Sequence, residues 1–248
     1  MNIDRISKQR LNVILLIDAS KSMQGNRIKQ VNSAISEIKE YLIDLQKENS
    51  NVDFYMTLIP FNNTAFLYNN EEMINIEDLK YDGIKCGGWS NLHCAYSSLS
   101  KLLHKESSGG IMPDFGGTAP IILLLTDGHP TGNDYQAEYE KLSKLAWFKV
   151  ALRYGIAIEL DDKKTLEVLK QFTGNNGDVI KCIDSNTLKN IIKIIVLTAS
   201  KVKSTTSNVG AVNTNGANSA NNIPVINQNE EIKQIIQEEL NDVDCWEW

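Results

Sequence analysis

The chain has 248 residues, 42% of them hydrophobic, enough to bury one sizeable α/β core and leave residues over for a tail. No stretch approaches the roughly 18 uninterrupted apolar residues of a membrane-spanning helix, so no membrane partner is expected. The net charge of −6 arises from Glu230 onward, where seven acids face one base; elsewhere 24 acids balance 24 bases, and no basic stripe suited to a phosphate backbone is visible, which disfavours nucleic acid.

Residues 1–10 are a polar lead-in without the apolar centre of a secretory leader, so the expected location is cytoplasmic. Cys86, Cys94, Cys182 and Cys245 are too few and too scattered for a disulfide framework, which agrees with a reducing compartment. From about Asn12 to Ile17 the chain is an apolar run that suits a strand buried on both faces. After Gly25, the residues Ile28, Val31, Ala34, Ile35, Ile38, Leu42 and Leu45 mark one face of a helix of about five turns. Val52 to Ile59 predicts a second strand ended by Pro60, and Phe61 to Tyr68 a short edge strand.

Residues 69–86 show no period and read as loop. A tight glycine turn, Gly87-Gly88-Trp89-Ser90, precedes a helix with Leu92, Ala95, Leu99, Leu102 and Leu103 inward. Ile121 to Leu125 is another fully apolar strand, ending in Thr126-Asp127-Gly128 and followed by dense turn chemistry through Asn133. A helix from Tyr135 to Trp147 and a strand from Lys149 to Ile158 follow, with Gly155 weakening the strand or marking a bulge. Asp161 or Asp162 caps a helix carrying Leu166, Leu169 and Phe172, which Gly174 stops. Val179 to Ile183 is a sixth strand, and Asp184 or Ser185 caps a last helix with Leu188, Ile191, Ile192 and Ile195. This alternation predicts a doubly wound, mostly parallel six-stranded α/β sheet, Rossmann-like, with helices on both faces over residues 11–202.

Composition then changes. Residues 203–229, rich in Asn, Ser, Thr, Gly and Ala, read as a flexible tether, and 230–248 as a short acidic amphipathic helix. In that tail Ile232, Ile235, Ile236 and Leu240 lie at helical spacing, and Trp246 and Trp248 follow. Such a segment suits a hydrophobic groove on another protein; the alternative is that it folds back on its own domain.

The chemistry lies where the apolar runs stop. Asp18, Ser20 and Ser22 are two residues apart, so an extended chain aims all three to one side. A carboxylate and two hydroxyls suit a hard cation such as Mg²⁺; capping of the next helix is the other reading. Asp127 ends a second buried strand and so belongs to the same rim, where open α/β sheets bind ligands. Cys86, His93 and Cys94 cluster near the glycine turn but lack the spacing and the fourth ligand of a closed zinc site.

Asp18-x-Ser20-x-Ser22, a Gly-rich turn with a hydroxyl at Ser90, and Thr126-Asp127-Gly128, in that order, resemble the metal-ion-dependent adhesion site of the von Willebrand factor A domain. The local segments Leu11-Asn12-Val13, Ile59-Pro60-Phe61, Pro113-Asp114-Phe115 and Asp127-Gly128-His129-Pro130-Thr131 are most similar to the bacterial tellurium-resistance TerY-type branch. The resemblance implies that Ser20, Ser22 and Ser90 coordinate Mg²⁺, or Mn²⁺ or Ca²⁺, directly. Asp18 and Asp127 then act through water and hydrogen bonds, and an acidic residue of a protein partner fills the last position. It implies an antiparallel edge strand, and a scaffold in a stress-response or defence system with a protein kinase and a PP2C-type phosphatase. The family usually has Thr where Ser90 stands; Ser keeps the hydroxyl and loses the methyl that restricts its rotamer.

Two rivals remain at this level. An apolar strand ending in Asp also opens Mg²⁺-dependent phosphohydrolases in which aspartate attacks phosphorus, but Ser20 stands where their second Asp, the general acid, is needed. The chain therefore reads as non-catalytic. The other rival is a domain with a degenerate metal site whose tail carries the binding.

Overall fold

The computed structural model describes residues 8–48, 51–70, 72–128, 130–131, 135–159, 162–174, 178–182, 184–206, 234–235 and 238. The elements in chain order are β1 (Gln9–Asp18), α1 (Asn26–Glu48), β2 (Val52–Phe61), β3 (Ile74–Asn75), α2 (Leu92–Leu102), β4 (Ile121–Thr126), α3 (Tyr135–Leu142), α4 (Ala146–Val150), β5 (Leu152–Ile158), α5 (Lys163–Thr173), β6 (Val179–Cys182) and α6 (Ser185–Thr206). The sheet order is β3-β2-β1-β4-β5-β6, with β3 antiparallel to β2 and every other pairing parallel.

The two continuous apolar runs sit at the centre because a parallel strand covered by helices on both sides has no solvent face. In β1, Val13, Leu15 and Ile17 join the cluster beneath α1 and α6, while Ile14 and Leu16 join the opposite one beneath α2 and α5. β4 divides the same way, with Ile121, Leu123 and Leu125 on the first side and Ile122 and Leu124 on the second. Register pairs Ile17 with Leu125 and Asp18 with Phe61, so β1, β2 and β4 end at one level. The chain departs in opposite directions on either side of β1, which creates a crevice at the carboxyl ends of β1 and β4.

The antiparallel edge strand is Ile74–Asn75 and not the expected Phe61 to Tyr68. Residues 61–68 fold into a tight turn closed by a Phe61–Ala65 bridge, and Asn69 and Asn70, both at positive φ, redirect the chain so that Ile74–Asn75 pairs with Tyr55 and Met56. Asn tolerates that left-handed backbone better than most residues. The predicted helix 135–147 divides into α3 and α4 at an extended Leu145, and the next strand therefore begins at Leu152 rather than Lys149. Gly155 marks no bulge, since register runs unbroken from Leu124 through Gly155 to Val179. A Cβ there would lie 2.9 Å from Leu169 Cβ, so glycine lets α5 approach the sheet.

Asp162 caps α5 by accepting from Thr165 N–H at 2.9 Å, and Asp184 caps α6 by accepting from Thr187 N–H at 2.8 Å. α6 continues to Thr206, past the boundary expected at 202. Arg153 was not singled out in the sequence. Its guanidinium is buried, donates to the carbonyls of Phe148, Phe172 and Thr173, and lies 4.4 Å from the Phe148 ring centre. Burial lowers its pKa to about 10. Of the tail contacts proposed from the sequence, Ile235 is helical and partly buried; Ile232, Ile236, Leu240, Trp246 and Trp248 lie outside the described residues, as does nearly all of the 203–229 tether.

Candidate metal centre

β1 ends at Asp18, and Ser20 opens a short 3₁₀ turn, Lys21–Met23, which points Ser20 and Ser22 back toward the strand ends. Asp18 Oδ1 accepts from the Ser20 N–H at 2.9 Å. Its other oxygen accepts from Ser90 Oγ at 2.8 Å and from Thr126 Oγ1 at 2.8 Å. Ser20 Oγ and Ser22 Oγ are 3.0 Å apart, and Ser22 Oγ donates to Asp127 Oδ1 at 2.8 Å. A continuous path Ser90–Asp18–Ser20–Ser22–Asp127 thus joins three segments through hydrogen bonds that span 72 and 105 residues of sequence.

The middle segment is held by backbone bonds on both sides. Gly87 N–H donates to Ala19 O at 2.9 Å, and Gly88 O accepts from Lys21 N–H at 3.0 Å. Ser90 O accepts from both the N–H and the hydroxyl of Thr131, at 2.8 and 3.0 Å. Gly88 has φ +80, and a Cβ there would lie 2.7 Å from Asn63 Oδ1, so both backbone and space demand glycine.

Asp18 is fully buried, and burial raises its pKa, opposed by the hydrogen bonds from Ser20, Thr126 and Ser90. This buried carboxylate accepts three hydrogen bonds and so orients the Ser90 and Thr126 hydroxyls. The hydroxyls of Ser20 and Ser22 line an open concavity of about 590 Å³ with Ser90, Gly88, Trp89, Lys21, Gly128 and Thr131.

The donor set fits a hard divalent ion. Adjacent ligands of an octahedron with bonds of about 2.1 Å lie about 3.0 Å apart, which is the Ser20–Ser22 spacing. Cys86 and Cys94 are free thiols. Burial, with the charges of Asp18 and Asp127, pushes the Cys86 thiol up to about 12 and so keeps it protonated. Among the described residues no three His, Cys, Asp or Glu side chains are grouped to hold an ion.

Two participants were missed in the sequence. Thr126 was quoted only as part of the motif, yet its hydroxyl bonds Asp18, and it also accepts from Gly128 N–H at 3.3 Å. Arg27 donates to Asp127 Oδ2 at 2.7 Å, to Ser22 O at 3.2 Å and to Glu159 Oε2 at 3.2 Å. A base in the first turn of α1 opposes the helix dipole, and that was the available signal that Arg27 answers to an acid elsewhere.

A parallel sheet with hydroxyls and paired aspartates at its switch point defines an A-type interaction domain of the kind that carries a metal-ion-dependent adhesion site. The chain belongs to the von Willebrand factor type A domain family, whose model matches residues 12–194. It is 32% identical over 134 residues to inter-alpha-trypsin inhibitor heavy chain H4 of Bos taurus, an alignment covering 52% of this chain and 14% of the relative. The inter-alpha-trypsin inhibitor heavy chain H6 of Homo sapiens is 31% identical over 129 residues, covering 48% of this chain and 9% of the relative. This chain thus spans only a small part of the curated relatives it matches.

Among solved structures, the fold is similar to a von Willebrand factor type A protein from Catenulispora acidiphila, with TM-score 0.56 and 13% identity over 77% of this chain and 43% of that one. It is also similar to proximal thread matrix protein 1 of the mussel byssus with a zinc-occupied adhesion motif. There the TM-score is 0.50 and the identity 17%, over 78% of this chain and 48% of the other.

Proposed function

We propose that this domain is a non-catalytic protein-interaction module that captures an acidic residue of a partner through a divalent cation, Mg²⁺ by preference. Ser20, Ser22 and Ser90 supply direct ligands, and Asp18 and Asp127 hold those hydroxyls and the ion's waters. When bound, the cation supplies an electrophilic position for a foreign carboxylate. The observation that carries the reading is the 3.0 Å pair of serine hydroxyls, the Ser22 hydroxyl bonded to Asp127 and the Ser20 backbone N–H bonded to Asp18. Family membership supports it, as does the occupied motif of the mussel protein, although that ion is zinc.

Catalysis gains no support, because Ser20 stands where the second Asp of an aspartate-based phosphohydrolase, its general acid, would be required. A narrower role, as a cytoplasmic scaffold beside a protein kinase and a PP2C-type phosphatase in a bacterial stress or tellurium-resistance system, rests on the local TerY-type sequence detail. Immobilised full-length protein is the test for the cation reading. Partner retention should need Mg²⁺, reverse with chelator and vanish in Ser20→Ala/Ser22→Ala, whereas retention that ignores all three treatments would defeat the reading.

A further inference from the structure

Trp89 is 70% exposed beside the serine hydroxyls, and its indole makes no hydrogen bond among the described residues. Its backbone is nevertheless fixed. Trp89 N–H donates to Asn63 Oδ1 at 2.8 Å, Asn91 N–H donates to Asn62 O at 2.9 Å, and Gly88 packs on the Asn63 side chain. The flanking backbone is tied to Ala19, Lys21 and Thr131. An indole displayed on so constrained a loop loses little conformational freedom when something covers it. Lys21, on the same rim, is exposed and makes no ion pair among the described residues.

Both features lie outside the ligand set, and the buried core does not need either. Together they add an apolar plate and a positive charge to a site whose ion already attracts carboxylate. The charge complementarity is specific: an isolated acid answers the ion, a nearby apolar side chain answers Trp89, and an acidic surrounding answers Lys21.

We infer that the partner surface is a protein segment in which the metal-seeking Asp or Glu lies within two residues of a large apolar side chain that covers Trp89. Lys21 steers the acidic segment toward the site. This rests on the cation reading above and adds the partner's sequence chemistry to it. Trp is prominent among residues that dominate binding energy, so its truncation should cost about tenfold in affinity.

The test is selection of random displayed peptides on the full-length chain in Mg²⁺, with elution by chelator. Enrichment of Asp or Glu within two positions of Trp, Phe or Leu is expected. Trp89→Ala should lose the apolar preference and about tenfold in affinity while keeping the acid and the chelator dependence; Trp89→Phe should restore the preference. Lys21→Gln should weaken binding at low salt more than at high salt.

Chelator-sensitive peptides with an acid but no apolar neighbour would overturn this inference and leave the cation reading intact. Peptides indifferent to chelator, or no enrichment, would overturn both. The chain's own Trp246-Glu247-Trp248 has the same chemistry. Enrichment seen only in Glu247→Gln would show that this segment is the occupant and that a foreign one is not. Trp89-dependent binding to phosphatidylserine vesicles in preference to the selected peptides would also overturn a protein partner.

Discussion

The guanidinium of Arg27 lies 2.7 Å from Asp127 Oδ2, while the other oxygen of the same carboxylate accepts from Ser22. Each oxygen of Asp127 thereby accepts one of these bonds, its side chain is fully buried, and Arg27 is braced from behind by Glu159. Gln30 in turn donates to Glu159 at 3.0 Å. Glu159, at φ +48, ends β5 in a left-handed turn that aims its carboxylate back at α1. Arg27 offsets one of the two negative charges that Asp18 and Asp127 place near the hydroxyls. With Glu159 counted, three carboxylates face one guanidinium, so a divalent ion brings the cluster to neutrality and a foreign carboxylate answers the ion itself.

Arg27→Gln should therefore bind Mg²⁺ more tightly, by about tenfold, since removing a nearby repulsive charge at a partly solvated site is worth on the order of 1–2 kcal/mol. Capture of an acidic peptide should weaken in parallel. Calorimetric titration of wild type and variant decides it, and equal or weaker Mg²⁺ affinity in the variant would remove Arg27 from the account.

Gly88→Ala tests the loop that presents Ser90 and Trp89. The new methyl would meet Asn63 Oδ1 at 2.7 Å on a backbone at φ +80, so the loop must shift. Because the loop is at the surface, thermal stability should fall by only about 1 kcal/mol, while Mg²⁺ binding drops more than tenfold through misplacement of Ser90. A variant that loses stability but keeps full Mg²⁺ affinity would show that Ser90 is dispensable to the ion.

What was legible in the sequence follows from how local the signal is. β1 and β4 read directly, since a strand buried on both faces is an apolar run, and the motif residues follow those runs at fixed spacing. β3 did not, because two residues carry no alternation and their placement depends on a turn at Asn69 and Asn70. Arg27 and Arg153 look like ordinary surface bases until the fold brings Asp127, 100 residues distant, to the first and the Phe172 and Thr173 carbonyls to the second.

Arg153→Met keeps much of the side-chain volume against Phe148 and removes every donor to the carbonyls of Phe148, Phe172 and Thr173. Two of those carbonyls close α5, which lacks other partners for them among the described residues. Leaving buried carbonyls unpaired costs about 1–3 kcal/mol, offset in part by not burying a charge. The expected loss is about 2 kcal/mol in urea unfolding, with Mg²⁺ affinity unchanged because the residue is remote from the ligands. A variant as stable as wild type would mean the buried charge costs as much as its hydrogen bonds return.

Asp184 gives a prediction whose size depends on pH. Its carboxylate accepts from the N–H of Thr187 at 2.8 Å and from the Thr187 hydroxyl at 3.0 Å, and the backbone bond chiefly lowers its pKa below the ordinary 3.8. A group whose pKa is depressed by folding stabilises the fold above its unfolded value and loses that contribution as pH falls through the folded value. Asp184→Ala should thus cost about 1 kcal/mol at neutral pH, the usual worth of a helix cap. The gap between variant and wild type should narrow only below pH 3.8, as the native carboxyl takes up its proton. Urea midpoints measured across that range test both the size and the sign, and a gap that stayed constant into strong acid would assign the effect to helix propensity rather than to the ionised cap.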